Sequence, residues 1–168
     1  RLRGMRVCDL GDFVVTDQVR DFDAVRERIA RLPNIPIVLG GDHSVSIPVL
    51  RGQRDRFRDR RLGVLWVDAH PDLCDEFTGS QLSHACVMRR VRESVPAASV
   101  GVRSLSEEEA EHLRAHPVPM WSPRAFRALR GDWGSIFSAL TGTVYVTFDL
   151  DALDPSVLPA TGTPEPGG

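Results

Sequence analysis

The stretch Leu62-Gly63-Val64-Leu65-Trp66-Val67-Asp68-Ala69-His70-Pro71-Asp72 decides the fold. Its apolar run, Leu62 to Val67, reads as a strand covered on both faces, and acids and a histidine follow at once. Two other runs repeat this design. Ile35 to Leu39 ends in Gly40-Gly41-Asp42-His43, and Thr143 to Phe148 ends in Asp149-Leu150-Asp151. Ser46 to Phe57 supplies the crossover helix that parallel strands require, so Ile35 to Val67 reads as a βαβ unit.

Outward from this unit the alternation continues. Towards the N-terminus, Val19, Phe22, Val25, Ile29 and Leu32 recur every three or four residues, which predicts a helix capped by Asp17 and stopped by Pro33. Met5 to Leu10 reads as a short strand before a Gly11-Asp12 turn. Towards the C-terminus, His84 to Val95 reads as helical, Ala98 to Val102 as a strand, and Ser106 as the cap of an acidic helix start at Glu107-Glu108-Glu109. Val118 to Trp121 reads as a short strand, and Ser122-Pro123 opens a further helix that Gly131-Asp132-Trp133 interrupts. Asp154 to Gly168 is a Pro- and Gly-rich loop. The pattern is α/β, with about 6 mostly parallel strands expected from strands that alternate with helices.

Composition narrows the function classes. A length of 168 residues fits one domain, and a net charge of -2 gives no basic field to gather nucleic acid. No apolar run approaches the ~18 residues of a membrane span, and the first residues lack a secretory stretch, so a cytoplasmic location and no membrane partner are expected. Cys8, Cys74 and Cys86 are odd in number and lack a CxxC pair, which argues against a disulfide framework or a thiolate zinc site. Every basic residue is Arg, leaving no candidate for lysine chemistry.

The chemistry gathers at the strand ends. In a parallel sheet all carboxyl ends lie at one edge, where ligands of open α/β folds bind, so His43, Asp68, His70, Asp72, Asp149 and Asp151 can converge. Side chains two apart in extended backbone point the same way, which pairs Asp68 with His70 and Asp149 with Asp151. Four carboxylates brought together must protonate or be neutralised, and a multivalent cation does the latter. Two imidazoles, four carboxylates and no thiolate suit Mn²⁺ or a similar ion. The number of ligands favours two ions, which could share and ionise a water from about 3.5–4 Å apart. Taken singly, an aspartate after a strand is more often a turn or cap residue, and Gly40-Gly41 serves a strand-to-helix turn under any reading. His112 and His116 read as solvent-facing, Cys74 and Cys86 as packing residues, and the six arginines of Arg51 to Arg61, broken by Asp55 and Asp59, as a solvated helix face.

Five motifs stand in order: Gly40-Gly41-Asp42-His43-Ser44, Asp68-Ala69-His70-Pro71-Asp72, Ser83-His84-Ala85-Cys86-Val87-Met88-Arg89-Arg90, Thr147-Phe148-Asp149-Leu150-Asp151-Ala152-Leu153-Asp154-Pro155 and Thr161-Gly162-Thr163-Pro164-Glu165-Pro166-Gly167-Gly168. Together they resemble the ureohydrolase (arginase/agmatinase) family, from His43 to the last residue. The resemblance implies a three-layer α/β/α fold with a mostly parallel sheet, incomplete here, with residues 1–168 as a single partial ureohydrolase domain. It also implies two Mn²⁺ per chain. His43, Asp68, Asp72 and Asp149 would hold one ion and His70, Asp68, Asp149 and Asp151 the other, with Asp68 and Asp149 bridging. A bridging hydroxide would attack the guanidino carbon, with Asp72 holding its proton and His84 as the proton shuttle.

The loop Leu73 to Ser83 has none of the asparagines that address the amino-acid end of arginine in arginases. The Ser83 to Arg90 motif is similar to agmatinases. The first choice of substrate is therefore agmatine, giving putrescine and urea in polyamine biosynthesis, with guanidinobutyrate, guanidinopropionate and arginine as alternatives. Relative to the family the chain lacks a strand and loop at its start and a βα segment at its end, whose glutamate would bind the guanidinium. A fragment or a non-catalytic metal-binding remnant is thus the competing expectation. A histone-deacetylase-like amidohydrolase, with one zinc and another ligand set, ranks below both. The complete enzyme is expected to form trimers or hexamers.

Overall fold

The computed structural model describes residue 4 and residues 6–58, 61–140 and 142–168. Helix α1, Gln18–Arg31, starts where Asp17 accepts from the Arg20 N–H, and it turns Phe22, Val25 and Ile29 inward as the 3–4 spacing predicts. Helix α2, Ser46–Arg56, packs along it. The close approach runs through Gly52, where a Cβ would stand 2.6 Å from the Arg26 carbonyl and 2.7 Å from Ile29 Cβ. An Arg26 Nε–Asp55 Oδ2 pair at 2.6 Å clasps the two helices.

Four strands follow: β1 Leu62–Val67, β2 Ala97–Val100, β3 Met120–Trp121 and β4 Thr143–Phe148. They form one sheet in the order β3-β2-β1-β4, with every pair parallel. Between them lie α3 (Val87–Arg92), α4 (Glu107–Ala115), α5 (Pro123–Ala128) and α6 (Gly134–Ser138). Ser106 and Glu109 complete a capping box at the start of α4, and Ser122 caps α5 with Pro123 in its first turn.

The period of two in β1 divides the core. Leu62, Val64 and Trp66 pack with Phe22, Ile47, Leu50, Val87 and Val91 on the side of α1, α2 and α3. Leu65 packs with Ala98, Val100, Ile136 and Leu140 on the side of α5 and α6. The result is the three-layer arrangement, with β1 at its centre.

Three sequence expectations need correction. The sheet has four strands among the described residues, not six. Residues 6–10 form no strand, and Met5 lies outside the described residues, as do Asp59 and Arg60 of the arginine-rich run. Ile35 to Leu39 is not a covered strand: it pairs with nothing among the described residues, and Ile35, Ile37 and Leu39 are 91%, 82% and 92% exposed. The βαβ unit therefore lacks its first strand. The reason is the absence of a hydrogen-bonding neighbour, since an isolated extended segment has no ladder to join. Strand β4 likewise ends the sheet on its outer side, with Val146 and Phe148 half exposed. Among the described residues no helix is long and apolar enough to cross a membrane.

Candidate metal centre

The carboxyl ends of β1 and β4 lie side by side, with Val67 paired to Phe148, so the residues that follow each strand emerge together. After β1, the Asp68 N–H is held by the Val100 carbonyl, and Asp68 Oδ1 accepts from the His70 N–H at 2.7 Å. A Cβ on Gly101 would lie 2.7 Å from the Asp68 carbonyl, and its φ of +105° is glycine territory, so β2 can pass this close only with glycine there. After β4, Asp149 Oδ1 accepts from the Asp151 N–H, and Asp151 Oδ1 accepts from the Ala69 N–H at 3.2 Å, lacing the two strand ends together.

His43 enters from a 3₁₀ turn, His43–Val45, capped by Asp42. Its ring stacks on Trp66 at 4.5 Å, and Nε2 meets Thr147 Oγ1 at 2.8 Å, which in turn lies 2.8 Å from Ser46 Oγ. That leaves Nδ1 facing three carboxylates: Asp68 at 2.9 Å, Asp72 at 3.2 Å and Asp149 at 3.3 Å. His70 Nδ1 lies 3.1 Å from Asp151 and 3.6 Å from Asp68. Asp72 adopts a left-handed φ of +48°, a conformation aspartate tolerates better than most residues, and its carbonyl accepts from Met88 and Arg89 N–H groups at the head of α3.

All six strand-end residues named from the sequence thus face one another. His84 sits exposed on a 3₁₀ turn, His84–Cys86, that packs against the turn carrying His43, and its ring meets Phe77 edge-on at 5.4 Å. His112 and His116 lie away from the site with their rings tilted by 43°, and His112 is half-buried rather than solvent-facing, its Nδ1 meeting Arg89. Cys86 is buried, and burial pushes its thiol up, as it does that of Cys74, so both behave as packing residues. Sequence reasoning missed Thr147, Ser46 and Trp66. Of these only Thr147 left a trace, since it lies two residues before Asp149 and alternation puts the two on one side.

The electrostatics describe a centre built for cations. Burial opposes charge on His43, but the facing carboxylates of Asp149, Asp68 and Asp72 outweigh that and push its pKa up to about 12. Asp151 and Asp68 carry His70 up to about 10. Burial works against ionisation at Asp68 and Asp149, yet the histidines hold both below their ordinary value. For Asp72 burial wins, and its carboxyl is pushed up. Two buried atoms, His43 Nδ1 and Asp68 Oδ2, lack a hydrogen-bond partner although they face each other across the site. An imidazole nitrogen and a carboxylate oxygen aimed at a common point, neither of them satisfied, suit a metal ion that would displace the imidazole proton. Two sets of ligand atoms, from His43, Asp68 and Asp149 and from Asp68, His70 and Asp151, each fall within 4.8 Å of one another and share Asp68.

Fold and site together define an α/β protein with a candidate metal centre of histidines and aspartates at the carboxyl edge of a parallel sheet. The chain belongs to the Arginase family, whose model matches residues 1–168. It is 38% identical over 135 residues to the N(1)-aminopropylagmatine ureohydrolase of Synechocystis sp., covering 79% of this chain and 44% of that protein. It is 34% identical to a mitochondrial arginase of Medicago truncatula, covering 99% of this chain and 54% of that one. Among solved structures, arginase from Bacillus subtilis superposes with a TM-score of 0.85 at 27% identity, covering 98% of this chain and 68% of the other. The chain spans about half the length of the curated relatives it matches.

Proposed function

We propose that this chain carries the active site of a Mn²⁺-dependent ureohydrolase that cleaves agmatine to putrescine and urea. The observation that carries the reading is the convergence of four carboxylates and two imidazole Nδ1 atoms on one edge, with His43 Nδ1 and Asp68 Oδ2 buried there without a hydrogen-bond partner. His43, Asp68, Asp72 and Asp149 would hold one Mn²⁺ and His70, Asp68, Asp149 and Asp151 a second. When bound, such a pair supplies the Lewis acidity that makes water a nucleophile near neutral pH, which the resonance-stabilised guanidinium requires.

The protein's own groups manage the protons. Asp72, whose carboxyl burial pushes up to about 7, would take up a proton at the site while remaining a ligand. His84, exposed beside the turn of His43, returns protons to bulk water. Trp66 and Thr147 keep the His43 ring from turning its Nδ1 away.

Two points support an alkylamine rather than an amino acid as substrate. The loop Leu73 to Ser83 offers no asparagine, and its Asp75 is paired with Arg89 and Arg90. The Synechocystis relative is named for an agmatine derivative. We place the reaction in cytoplasmic polyamine biosynthesis, residues 1–168 in a single partial domain, and the complete enzyme in a trimer or hexamer. A second reading, a remnant that keeps the metal site without turnover, is favoured by the free edge of β4 and the uncovered Ile35 to Leu39.

Urea release with Mn²⁺ from agmatine, N(1)-aminopropylagmatine, arginine and guanidinobutyrate separates these readings, with His70→Ala as control. Turnover fastest on agmatine and abolished in the variant is expected. Fastest turnover on another of the four would reassign the substrate. No urea from any of them would overturn catalysis by this chain and leave the remnant.

A further inference from the structure

Glu165 lies in the Pro- and Gly-rich loop after β4, within the Thr161 to Gly168 motif, and the sequence reading assigns it no role of its own. Its Oε1 stands 3.7 Å from His70 Nε2, on the opposite side of the ring from Asp151 and Asp68. The imidazole is therefore set between carboxylates at both nitrogens. A neutral imidazole carries one proton, and Nδ1 offers a lone pair only when that proton sits on Nε2.

A loop would not hold a carboxylate there unaided. Arg103, just beyond β2, ties it down: Nη2 donates to the Glu165 carbonyl at 2.6 Å and to the Asp151 carbonyl at 2.8 Å, Nη1 to those of Ala152 and Gly101, and Nε to that of Pro166 at 3.1 Å. All five guanidinium N–H groups are spent on five carbonyls, and none on a carboxylate. Further along, Thr163 Oγ1 donates to Asp151 Oδ2 at 2.9 Å, and the Gly167 N–H donates to Asp154 Oδ2 at 2.7 Å. The same clasp thus carries Asp151 to one nitrogen of His70 and Glu165 to the other.

We propose that Glu165 is a positioning residue for the metal centre: its carboxylate accepts a hydrogen bond from His70 Nε2–H and so turns Nδ1, as a lone pair, toward Asp68 and Asp151. The inference rests on reading His70 as a metal ligand. At 3.7 Å the contact is an ion-pair distance, and closing it to a hydrogen bond takes a shift of about 1 Å or less. Both side chains have room for it, at 34% and 24% exposure. Carboxylates behind metal-bound histidines raise ligand basicity, and their loss typically costs about 10- to 100-fold in metal affinity.

The test is calorimetric titration of the full chain with Mn²⁺, for the unaltered protein, Glu165→Gln, Glu165→Asp and, as a remote control, Glu111→Gln. Two ions are expected for the unaltered chain and the control. In Glu165→Gln one ion is retained and the other weakens about 10- to 100-fold, with partial recovery in Glu165→Asp. A second readout is the His70 ring in ¹⁵N spectra of protein loaded with Zn²⁺, where the Nε2–H signal shifts in Glu165→Gln and stays put in the control. Full affinity for both ions in Glu165→Gln would overturn the inference. So would a defect confined to the KM of an amine substrate, which would assign Glu165 to the substrate's cationic end. Fewer than two ions in the unaltered chain would sink the dinuclear reading and this inference together, whereas two ions at unchanged affinity in every variant would sink this inference alone.

Discussion

Replacing Thr147 by Val keeps the shape of the side chain and removes the oxygen that meets His43 Nε2. The ring then loses the partner that orients it, and Ser46 Oγ is left without its own. The expected outcome is an affinity for the ion on the His43 side lower by about 10- to 100-fold, and a stability lower by about 1–3 kcal/mol from the unpaired buried hydroxyl. Metal titration and denaturant unfolding measure the two effects. A pH dependence follows from the same ring. With pKa values of about 12 and about 10, His43 and His70 are protonated in the metal-free protein at neutral pH. A metal ion needs their lone pairs, so binding releases about one proton per histidine, and affinity rises with pH until both rings have lost that proton. Both folded values exceed the ordinary ~6.5, so their stabilisation of the metal-free fold is complete below about pH 6.5 and is lost as pH rises through 10 to 12. Calorimetry in buffers of different ionisation enthalpy counts the protons; no release would contradict the charged histidines. The six strand-end residues were legible because acids and histidines after apolar runs stand out. Thr147 and Trp66 were not, because a polar or aromatic residue inside a strand looks the same whether it packs or orients a neighbour.

Arg103 acts through elements, joining the exit of β2 to the loop that carries Asp151 and Glu165. Lysine keeps the charge but has three donors on one point, so it cannot serve five carbonyls in a plane. Arg103→Lys should lower the melting temperature and loosen the loop after β4, seen as faster hydrogen exchange around Asp151 to Gly167, while α1 and α2 keep their protection. Unchanged exchange would show that the clasp is dispensable. Helices were the readable elements: the cap at Asp17, the periodicity of Phe22, Val25 and Ile29 and the acidic start after Ser106 are local signals, and local hydrogen bonds answer them. Ile35 to Leu39 failed for the opposite reason. An apolar run tells that burial is favoured, but a strand exists only if another strand pairs with it, and that partner lies elsewhere in the sequence or in another chain.

At the scale of the whole molecule, the β4 edge of the sheet is open among the described residues. β4 presents unpaired backbone groups along its outer edge, with Val146 and Phe148 half exposed and the apolar Ile35, Ile37 and Leu39 open to solvent. Such an edge recruits other strands, so this chain should self-associate in a concentration-dependent way and bind hydrophobic dyes. Val146→Lys should reduce both, as read by light scattering and dye fluorescence. A monodisperse monomer without dye binding would contradict this. Five of the six candidate ligands follow β1 and β4, whose pairing is intact over six residues of each strand, and His43 follows the uncovered Ile35 to Leu39, yet the six meet even with that edge open. The most direct test of that claim is the electron paramagnetic resonance of the chain titrated with Mn²⁺. The account predicts a spin-coupled spectrum that grows to two ions per chain, as two Mn²⁺ about 3.5–4 Å apart would produce, and is lost in Asp68→Asn. An uncoupled six-line signal at every ratio would contradict a dinuclear centre built from His43, Asp68, His70, Asp72, Asp149 and Asp151.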